Sequence, residues 1–127
     1  MTQYRTPYEA LGDTGIRRLT AAFYDYMDRA PEAAGIRAMH GPDLAPMKER
    51  LAEYLISWMG GPPIYAEKYG SMCMTNPHKP YAIGPVERDQ WLWCMDRALE
   101  QIGADDELKQ MLKQPLFAVA DMVRNRD

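Results

Sequence analysis

The chain of 127 residues has few cysteines, no long apolar run and no excess of basic residues. Its two cysteines, Cys73 and Cys94, are too few for a disulfide framework, so we expect two free thiols in or near the core. Residues 1–6 lack the apolar region and the cleavage site of a signal peptide. No segment approaches the roughly 20 apolar residues that span a bilayer. We therefore expect a cytoplasmic protein with no membrane partner.

The charge balance argues against binding to nucleic acid. Acidic residues outnumber basic ones by 18 to 15, and the formal net charge is −3. Binding to a phosphate backbone depends on a basic surface that releases counterions, and this composition offers none. The length suits one domain with one sizeable core, so we predict a single domain over residues 1–127 with one mostly buried pocket.

The familiar catalytic motifs are also missing. The sequence has no nucleotide-binding glycine loop, no Gly-x-Ser-x-Gly and no His-Glu-x-x-His. A zinc site would have to combine Cys73 and Cys94 with His40 and His78, which are scattered and have no paired-ligand spacing. A metal-dependent hydrolase would need carboxylate and histidine clusters that the sequence does not contain. Both classes are disfavoured.

Apolar residues recur at helical spacing, and no segment alternates like a strand, so we predict an all-α fold. The predicted helices cover 13–29 or 14–29, 32–39, 44–59, 85–103 and a stretch from about residue 105 onward. Asp43 is the expected N-cap of the third helix. Pro115 is expected to kink or split the last one. Residues 64–80 have poor periodicity and should form a loop with at most a turn or two of helix.

Several motifs together resemble the second group of truncated haemoglobins. They occur in the order of that family, at its separations, over most of the chain. The motifs are Pro7-Tyr8-Glu9-Ala10-Leu11-Gly12, Phe23-Tyr24, His40-Gly41-Pro42-Asp43-Leu44, Gly60-Gly61-Pro62-Pro63-Ile64-Tyr65, His78-Lys79-Pro80-Tyr81 and Glu87-Arg88-Asp89-Gln90-Trp91-Leu92-Trp93-Cys94-Met95. The resemblance implies a compact 2-over-2 globin fold with haem b between the helices.

The resemblance also implies the roles of four residues. His78 takes the position of the proximal histidine that binds iron, with its other ring nitrogen bonded to a carbonyl or water. Tyr24 and Trp91 match the distal tyrosine and tryptophan of the group, and His40 falls at a variable distal corner, where it offers a third distal donor or acceptor. Ligands implied for this site are O2, NO and CO.

Each of these residues has a simpler interpretation. A loop histidine such as His78 is more often solvated or structural, and Tyr24 and Trp91 fit the apolar faces of their helices as core residues. His40 fits a partly exposed turn. A further alternative is that His40 or Tyr24 coordinates ferric iron when no external ligand is present. Trp93 lies about 200° round the helix from Trp91, so we expect it to pack elsewhere or lie at the surface.

The predicted haem pocket is mostly apolar, and Met47 and Leu51 lie on the helix expected to cover its distal side. The chain has Thr75, Asn76 and Pro77 where relatives commonly have arginines that contact the haem propionates. Replacement candidates are Arg50 first, then Lys48, Lys79 and Tyr65. The predicted pocket residues are Phe23, Met47, Arg50, Leu51, Leu55, Tyr65, Met74, Tyr81 and Ile83.

The resemblance therefore implies a haem protein that binds oxygen and releases it slowly. Slow release argues against simple oxygen delivery and towards sensing or redox chemistry, such as turnover of NO or peroxide with an external reductase. Whether the chain is an enzyme stays open, as does the choice between a monomer and a homodimer. The alternative, which composition alone favours, is a non-haem helical interaction domain in which His78 is incidental.

Overall fold

The computed structural model describes residues 4–127, apart from the side chain of Asn76. Part of the signal-peptide expectation falls on residues 1–3, and part of the propionate argument falls on Asn76; both lie outside the described parts. Regular structure in the described range is entirely helical. The elements are α1 (Pro7–Arg29), a 3₁₀ turn (Pro31–Ala33), α2 (Ala34–Ala38), α3 (Ala45–Trp58), α4 (Ile64–Tyr69), α5 (Thr75–His78), α6 (Pro85–Gln101) and α7 (Asp106–Met122). In residues 4–127 none of them combines the length and hydropathy needed to traverse a bilayer.

Helix α1 begins six or seven residues earlier than the periodicity of its apolar residues predicts. Thr6 caps it by accepting a hydrogen bond from the Glu9 N–H at 3.2 Å, and the Glu9 carboxylate accepts from the Arg5 N–H at 2.6 Å. The first turns end at Gly12, whose φ of 67° breaks the helix before the long apolar segment starts. The predicted start was therefore wrong, because a capping pair and a glycine break lie ahead of the periodic stretch.

The predicted N-cap of the third helix was wrong by one residue, because Leu44 and not Asp43 occupies the N-cap position. Helix α3 begins at Ala45, whose N–H donates to Asp43 Oδ1 at 3.0 Å, although Asp43 lies one residue before the N-cap position. Segment 64–80 contains the short helices α4 and α5. Helix α7 passes through Pro115 as one helix and is not split. Its neighbours Leu112 and Leu116 are buried, and their packing offsets the lost backbone hydrogen bond.

The long helices pack as two pairs, α1 with α3 and α6 with α7, and α1 joins the pairs by packing across α6. This is the two-over-two arrangement that the resemblance implies. The apolar stripe of each helix is fully buried over part of its length, as at Leu19 in α1, Met95 in α6 and Leu112 in α7. Over the rest of α3, α6 and α7 the stripe is only half-buried, because there it lines a cavity.

Candidate functional site

A cavity of about 350 Å³ lies among α1, α3, α6, α7 and the segment around α5. Its wall is mostly leucine, methionine, isoleucine, valine and aromatic side chains. The structure brings all the predicted site residues except Phe23 onto this wall: Tyr24, His40, Met47, Arg50, Leu51, Leu55, Tyr65, Met74, His78, Tyr81, Ile83 and Trp91. One apolar chamber therefore holds both histidines of the chain.

Phe23 lies behind the wall, which corrects its predicted place in the pocket. Its side chain is fully buried, and its ring centroid is 5.0 Å from that of Tyr24 and 5.3 Å from that of Trp91. Adjacent helical residues project about 100° apart, and here that turn carries Phe23 into the core while Tyr24 faces the cavity. Phe23 instead supports the two distal rings from the core.

His78 is the last residue of α5 and is half-buried on the cavity wall. Its Nδ1 forms a hydrogen bond with the carbonyl oxygen of Met74. A carbonyl can only accept, so Nδ1 carries the ring proton and Nε2 keeps its lone pair. This is the carbonyl contact expected for the second ring nitrogen of a histidine that binds a metal.

Tyr24 projects from α1 onto the wall and is 5% exposed. Its hydroxyl has no hydrogen-bond partner among residues 4–127. Burial raises the pKa of this phenol well above its ordinary value. The hydroxyl therefore keeps its proton at neutral pH and can donate it in a hydrogen bond to a molecule in the cavity.

His40 follows α2 at the edge of the cavity and is half-buried. Its Nδ1 lies 2.8 Å from the carbonyl oxygen of Ile36, so in the neutral ring Nδ1 is the donor and Nε2 the acceptor. Arg37 holds the same corner by donating to the carbonyl oxygens of Gly41 at 3.0 Å and His40 at 3.4 Å. When its ring is neutral, His40 therefore has its N–H bonded to Ile36 and only the Nε2 lone pair left for a molecule in the cavity.

The two tryptophans of α6 have different surroundings. Trp91 lines the cavity, and its indole N–H has no partner within the described part of the chain. Trp93 is not on the wall: it packs edge-on against Tyr26 with centroids 6.0 Å apart and lies under the guanidinium of Arg97. Helical geometry accounts for this division.

Arg50 and Tyr65 form a polar corner of the wall. Arg50 Nε donates to the Tyr65 hydroxyl at 3.1 Å, and the guanidinium lies 4.6 Å from the ring centroid of Tyr69. Arg50 is thus fixed by a hydrogen bond and by ring stacking. The other candidates for binding propionates, Lys48 and Lys79, do not line the cavity.

Glu53 of α3 stabilises this corner through hydrogen bonds from Lys68 and Tyr69 of α4. Its carboxylate is 7% exposed and accepts from Lys68 Nζ and from the Tyr69 hydroxyl, both at 2.9 Å. Burial alone would raise the pKa of Glu53, but the hydrogen bonds from Lys68 and Tyr69 outweigh it and the pKa is lowered. This pair of contacts fixes α4 on α3 and so sets the place of Tyr69 under Arg50.

Three wall residues with hydroxyl or charged side chains were missed from the sequence: Tyr54, Glu87 and Arg88. Tyr54 is 5% exposed, and its hydroxyl has no hydrogen-bond partner in the described range. Arg88 joins α6 to α7 by donating to Asp121 Oδ1 at 3.0 Å. The signal was available, because Tyr54 lies three residues after Leu51 and Arg88 three before Trp91, on the same helical faces.

The cysteines play no part in the cavity wall. Cys94 is buried as expected, whereas Cys73 is exposed, so its predicted place in or near the core was wrong. Cys73 lies in the irregular segment between α4 and α5, which covers little of the core. Among the residues that the structure describes, no three His, Cys, Asp or Glu side chains are grouped to hold a metal ion.

Comparison with known proteins points to one family. The profile of the bacterial-like globin family matches residues 6–125. A group 2 truncated haemoglobin of Bacillus subtilis strain 168 is 28% identical over 109 residues, covering 86% of this chain and 80% of the relative.

Solved structures show the same similarity. The group II 2-on-2 haemoglobin of the plant pathogen Agrobacterium tumefaciens superposes with a TM-score of 0.91 at 38% identity, over 99% of this chain and 98% of that one. A truncated oxygen-avid haemoglobin from Bacillus subtilis superposes with a TM-score of 0.87 at 28% identity, over 95% of this chain and all of that one. The predicted all-α, 2-over-2 fold is therefore confirmed.

Proposed function

Because the chain belongs to the bacterial-like globin family, as a truncated haemoglobin of the second group, we propose that it binds haem b through His78 and holds oxygen with slow release. Binding of haem and of a small diatomic ligand is implied by the family; the haem type, the ligand and the release rate are our proposal. The observation that carries it is an apolar cavity whose wall combines His78 with the donors of Tyr24 and Trp91, which have no hydrogen-bond partner among the described residues.

The residues present fit a haem group in three respects. His78 has one ring nitrogen fixed by a carbonyl and the other free to bind iron. The wall is apolar, and burial of apolar surface is the larger part of the binding energy of such a cofactor. Arg50 and Tyr65 form a cationic and hydroxyl-bearing corner that would hold carboxylates.

When bound, haem supplies an iron position at which a diatomic gas binds reversibly. The chain itself contributes hydrogen-bond donors for the bound ligand. The phenol of Tyr24 and the indole of Trp91 each keep a proton available on a mostly apolar wall. A hydrogen bond to a charged or polarised acceptor is worth roughly 1.5–3 kcal/mol, or about one to two decades in a dissociation rate. The Bacillus subtilis relative described as oxygen-avid supports slow release here too.

The test is an absorption spectrum of the purified protein loaded with haemin, in ferric and ferrous forms, with and without carbon monoxide. The wild type should show stoichiometric haem with histidine-ligated features. His78→Ala should lose them, whereas His40→Ala, which removes the other histidine, should keep them. A protein that stays colourless with added haemin, or a His78→Ala variant with the wild-type spectrum, would refute the ligand assignment and favour the non-haem interaction domain.

The remaining expectations stay predictions. They are turnover of NO or peroxide, dependence on an external reductase, a cytoplasmic location and a choice between monomer and homodimer. Tyr24 and Trp91 would serve redox turnover by donating hydrogen bonds to the oxygen atom on which charge develops. Oxygen transport is disfavoured within this proposal, because the same donors that hold oxygen slow its delivery.

A further inference from the structure

The segment after α7 reaches back to the segment after His78. The backbone N–H groups of Asn125 and Arg126 both donate to the carbonyl oxygen of Ile83, at 2.8 and 2.9 Å. The Asn125 side chain adds three contacts. Its Oδ1 accepts from the Ile83 N–H at 2.9 Å, and its Nδ2 donates to the carbonyl oxygens of Tyr81 at 2.8 Å and His78 at 3.4 Å. One side chain therefore bridges three residues of the segment.

This segment depends on such contacts from outside. Residues 79–84 belong to no helix, and the turn is closed internally by the Tyr81 N–H, which donates to the His78 carbonyl at 3.1 Å. Helix α5 has only four residues, too few to form a stable helix in isolation. The carbonyl of its last residue, His78, has no helical partner and is satisfied by Tyr81 and Asn125 instead.

The imidazole of His78 is consequently held from two directions. On its N-terminal side the Met74 carbonyl fixes Nδ1. On its C-terminal side Asn125 fixes the backbone of His78 and of the turn that follows. We propose that Asn125 is a positioning residue for His78, setting the direction in which Nε2 meets the haem iron. This inference rests on the proposed function, in which His78 is the iron ligand.

Two substitutions separate the acceptor of Asn125 from its donor. Asn125→Ala removes both. Asn125→Asp keeps an oxygen for the Ile83 N–H but places a second carboxylate oxygen against the carbonyls of Tyr81 and His78. A third variant, Asp105→Ala, is the control for general destabilisation. It removes the N-cap of α7, where Asp105 Oδ1 accepts from the Leu108 N–H at 2.9 Å, and touches no residue of segment 78–83.

Each variant is measured in three ways. Amide hydrogen exchange is followed without haem. The iron–histidine stretching band of the ferrous protein is recorded by resonance Raman spectroscopy. Transfer of haemin to an excess of a high-affinity acceptor protein gives its dissociation rate. Asn125→Ala should speed exchange of the Ile83 amide, whereas Asn125→Asp should leave that amide protected. Both should shift and broaden the iron–histidine band and raise the haemin dissociation rate roughly tenfold or more, as for loss of an outer-shell partner.

The control should change overall stability and leave the iron–histidine band in place. An unchanged band in both Asn125 variants would overturn the positioning role. Asn125 would then only attach the segment after α7 to Tyr81 and Ile83. A band that moves equally in Asp105→Ala would overturn the positioning role as well. Failure of the proposed function is distinguishable, since His78→Ala would then keep the histidine-ligated spectrum. That result would overturn the ligand assignment and the positioning role together.

Discussion

The rings of Tyr24 and His40 meet edge-on, with centroids 6.0 Å apart and planes inclined by 77°. The two side chains are not equivalent partners for a ligand. The Tyr24 hydroxyl has a proton and no hydrogen-bond partner in the described part of the chain. In neutral His40 the ring N–H already donates a hydrogen bond to the carbonyl oxygen of Ile36. The phenol can therefore donate to a bound ligand, and the imidazole can only accept.

We expect this difference to appear in the oxygen dissociation rate measured by stopped-flow spectroscopy. Tyr24→Phe and Trp91→Phe should each release oxygen roughly ten to a hundred times faster, because each loses a hydrogen bond to a polarised ligand. His40→Phe should change the rate by less than about threefold, since it removes no donor from the neutral pocket.

Tyr26→Phe is the matched control for this comparison. Tyr26 is on the same helix as Tyr24 but packs against Trp93, away from the cavity. Its substitution should leave the oxygen dissociation rate unchanged. The assignment of donors would be wrong if the indole or the phenol could be removed without effect, or if His40→Phe proved the most damaging of the three.

Tyr54 should contribute to haem retention and not to gas release. Its ring packs edge-on against Tyr65 with centroids 5.3 Å apart, and Tyr65 accepts from Arg50. Because Tyr54 packs on Tyr65 and lines the same cavity, we expect its hydroxyl to belong to the polar corner proposed for carboxylates. Tyr54→Phe should speed haemin dissociation by about ten- to a hundredfold, the effect of one hydrogen bond of about 1.5–3 kcal/mol to a charged carboxylate.

The oxygen dissociation rate of Tyr54→Phe should match that of the wild type, and Tyr8→Phe serves as a control. Tyr8 loses a hydrogen bond to Asp13 of 2.7 Å on substitution, but it does not line the cavity. A Tyr54→Phe variant that lost oxygen rapidly while keeping its haem would place this hydroxyl with the distal donors instead.

Helical periodicity was sufficient to predict the buried faces of the helices that surround the cavity. The stripe through Leu19 in α1 and the stripe through Met95 in α6 are buried as their spacing indicates. Burial at a spacing of three to four residues is a local property of the sequence, so it can be read without the fold. The positions on the cavity wall, in contrast, needed the resemblance to a family, because a half-buried Met47 gives the same pattern as a core residue.

Contacts between distant segments could not be predicted in this way. Asn125 lies 47 residues after His78, and nothing in its own surroundings indicates that it bonds to the turn after that histidine. Phe23 and Tyr24 are adjacent aromatic residues, and only the orientation of α1 decides which of them faces the cavity. The early start of α1 had a local signal in Thr6 and Glu9, but that signal is independent of apolar periodicity.

The buried carboxylate Glu53 should make stability depend on pH in the acid range. Its pKa is lowered in the folded chain, so it contributes stability above the pKa of an unfolded glutamate, about 4.3, and that contribution is lost as the pH falls further. In urea unfolding, Glu53→Gln should be less stable than the wild type at neutral pH, and the difference should shrink towards pH 3.

Glu100→Gln is the control, because it removes only an exposed ion pair with Lys109. Its free energy of unfolding should follow the same pH dependence as that of the wild type. A Glu53→Gln variant that also follows the wild-type pH dependence would contradict the assignment.

Gly61 should tolerate no side chain, because it lies where the start of α1 crosses the end of α3. A Cβ atom there would come within 2.7 Å of the Ile56 carbonyl oxygen and of the Tyr8 ring. The Gly61 N–H donates to that same carbonyl at 2.8 Å, so the backbone cannot move away without losing the bond. We expect Gly61→Ala to lower the free energy of unfolding by about 2–3 kcal/mol, the cost of overpacking.

Gly41→Ala is the control, because a Cβ atom at Gly41 would meet open space. This variant should have the stability of the wild type or exceed it by up to about 1 kcal/mol. Equal stabilities of the two variants in urea unfolding would show that α1 and α3 can separate at this crossing.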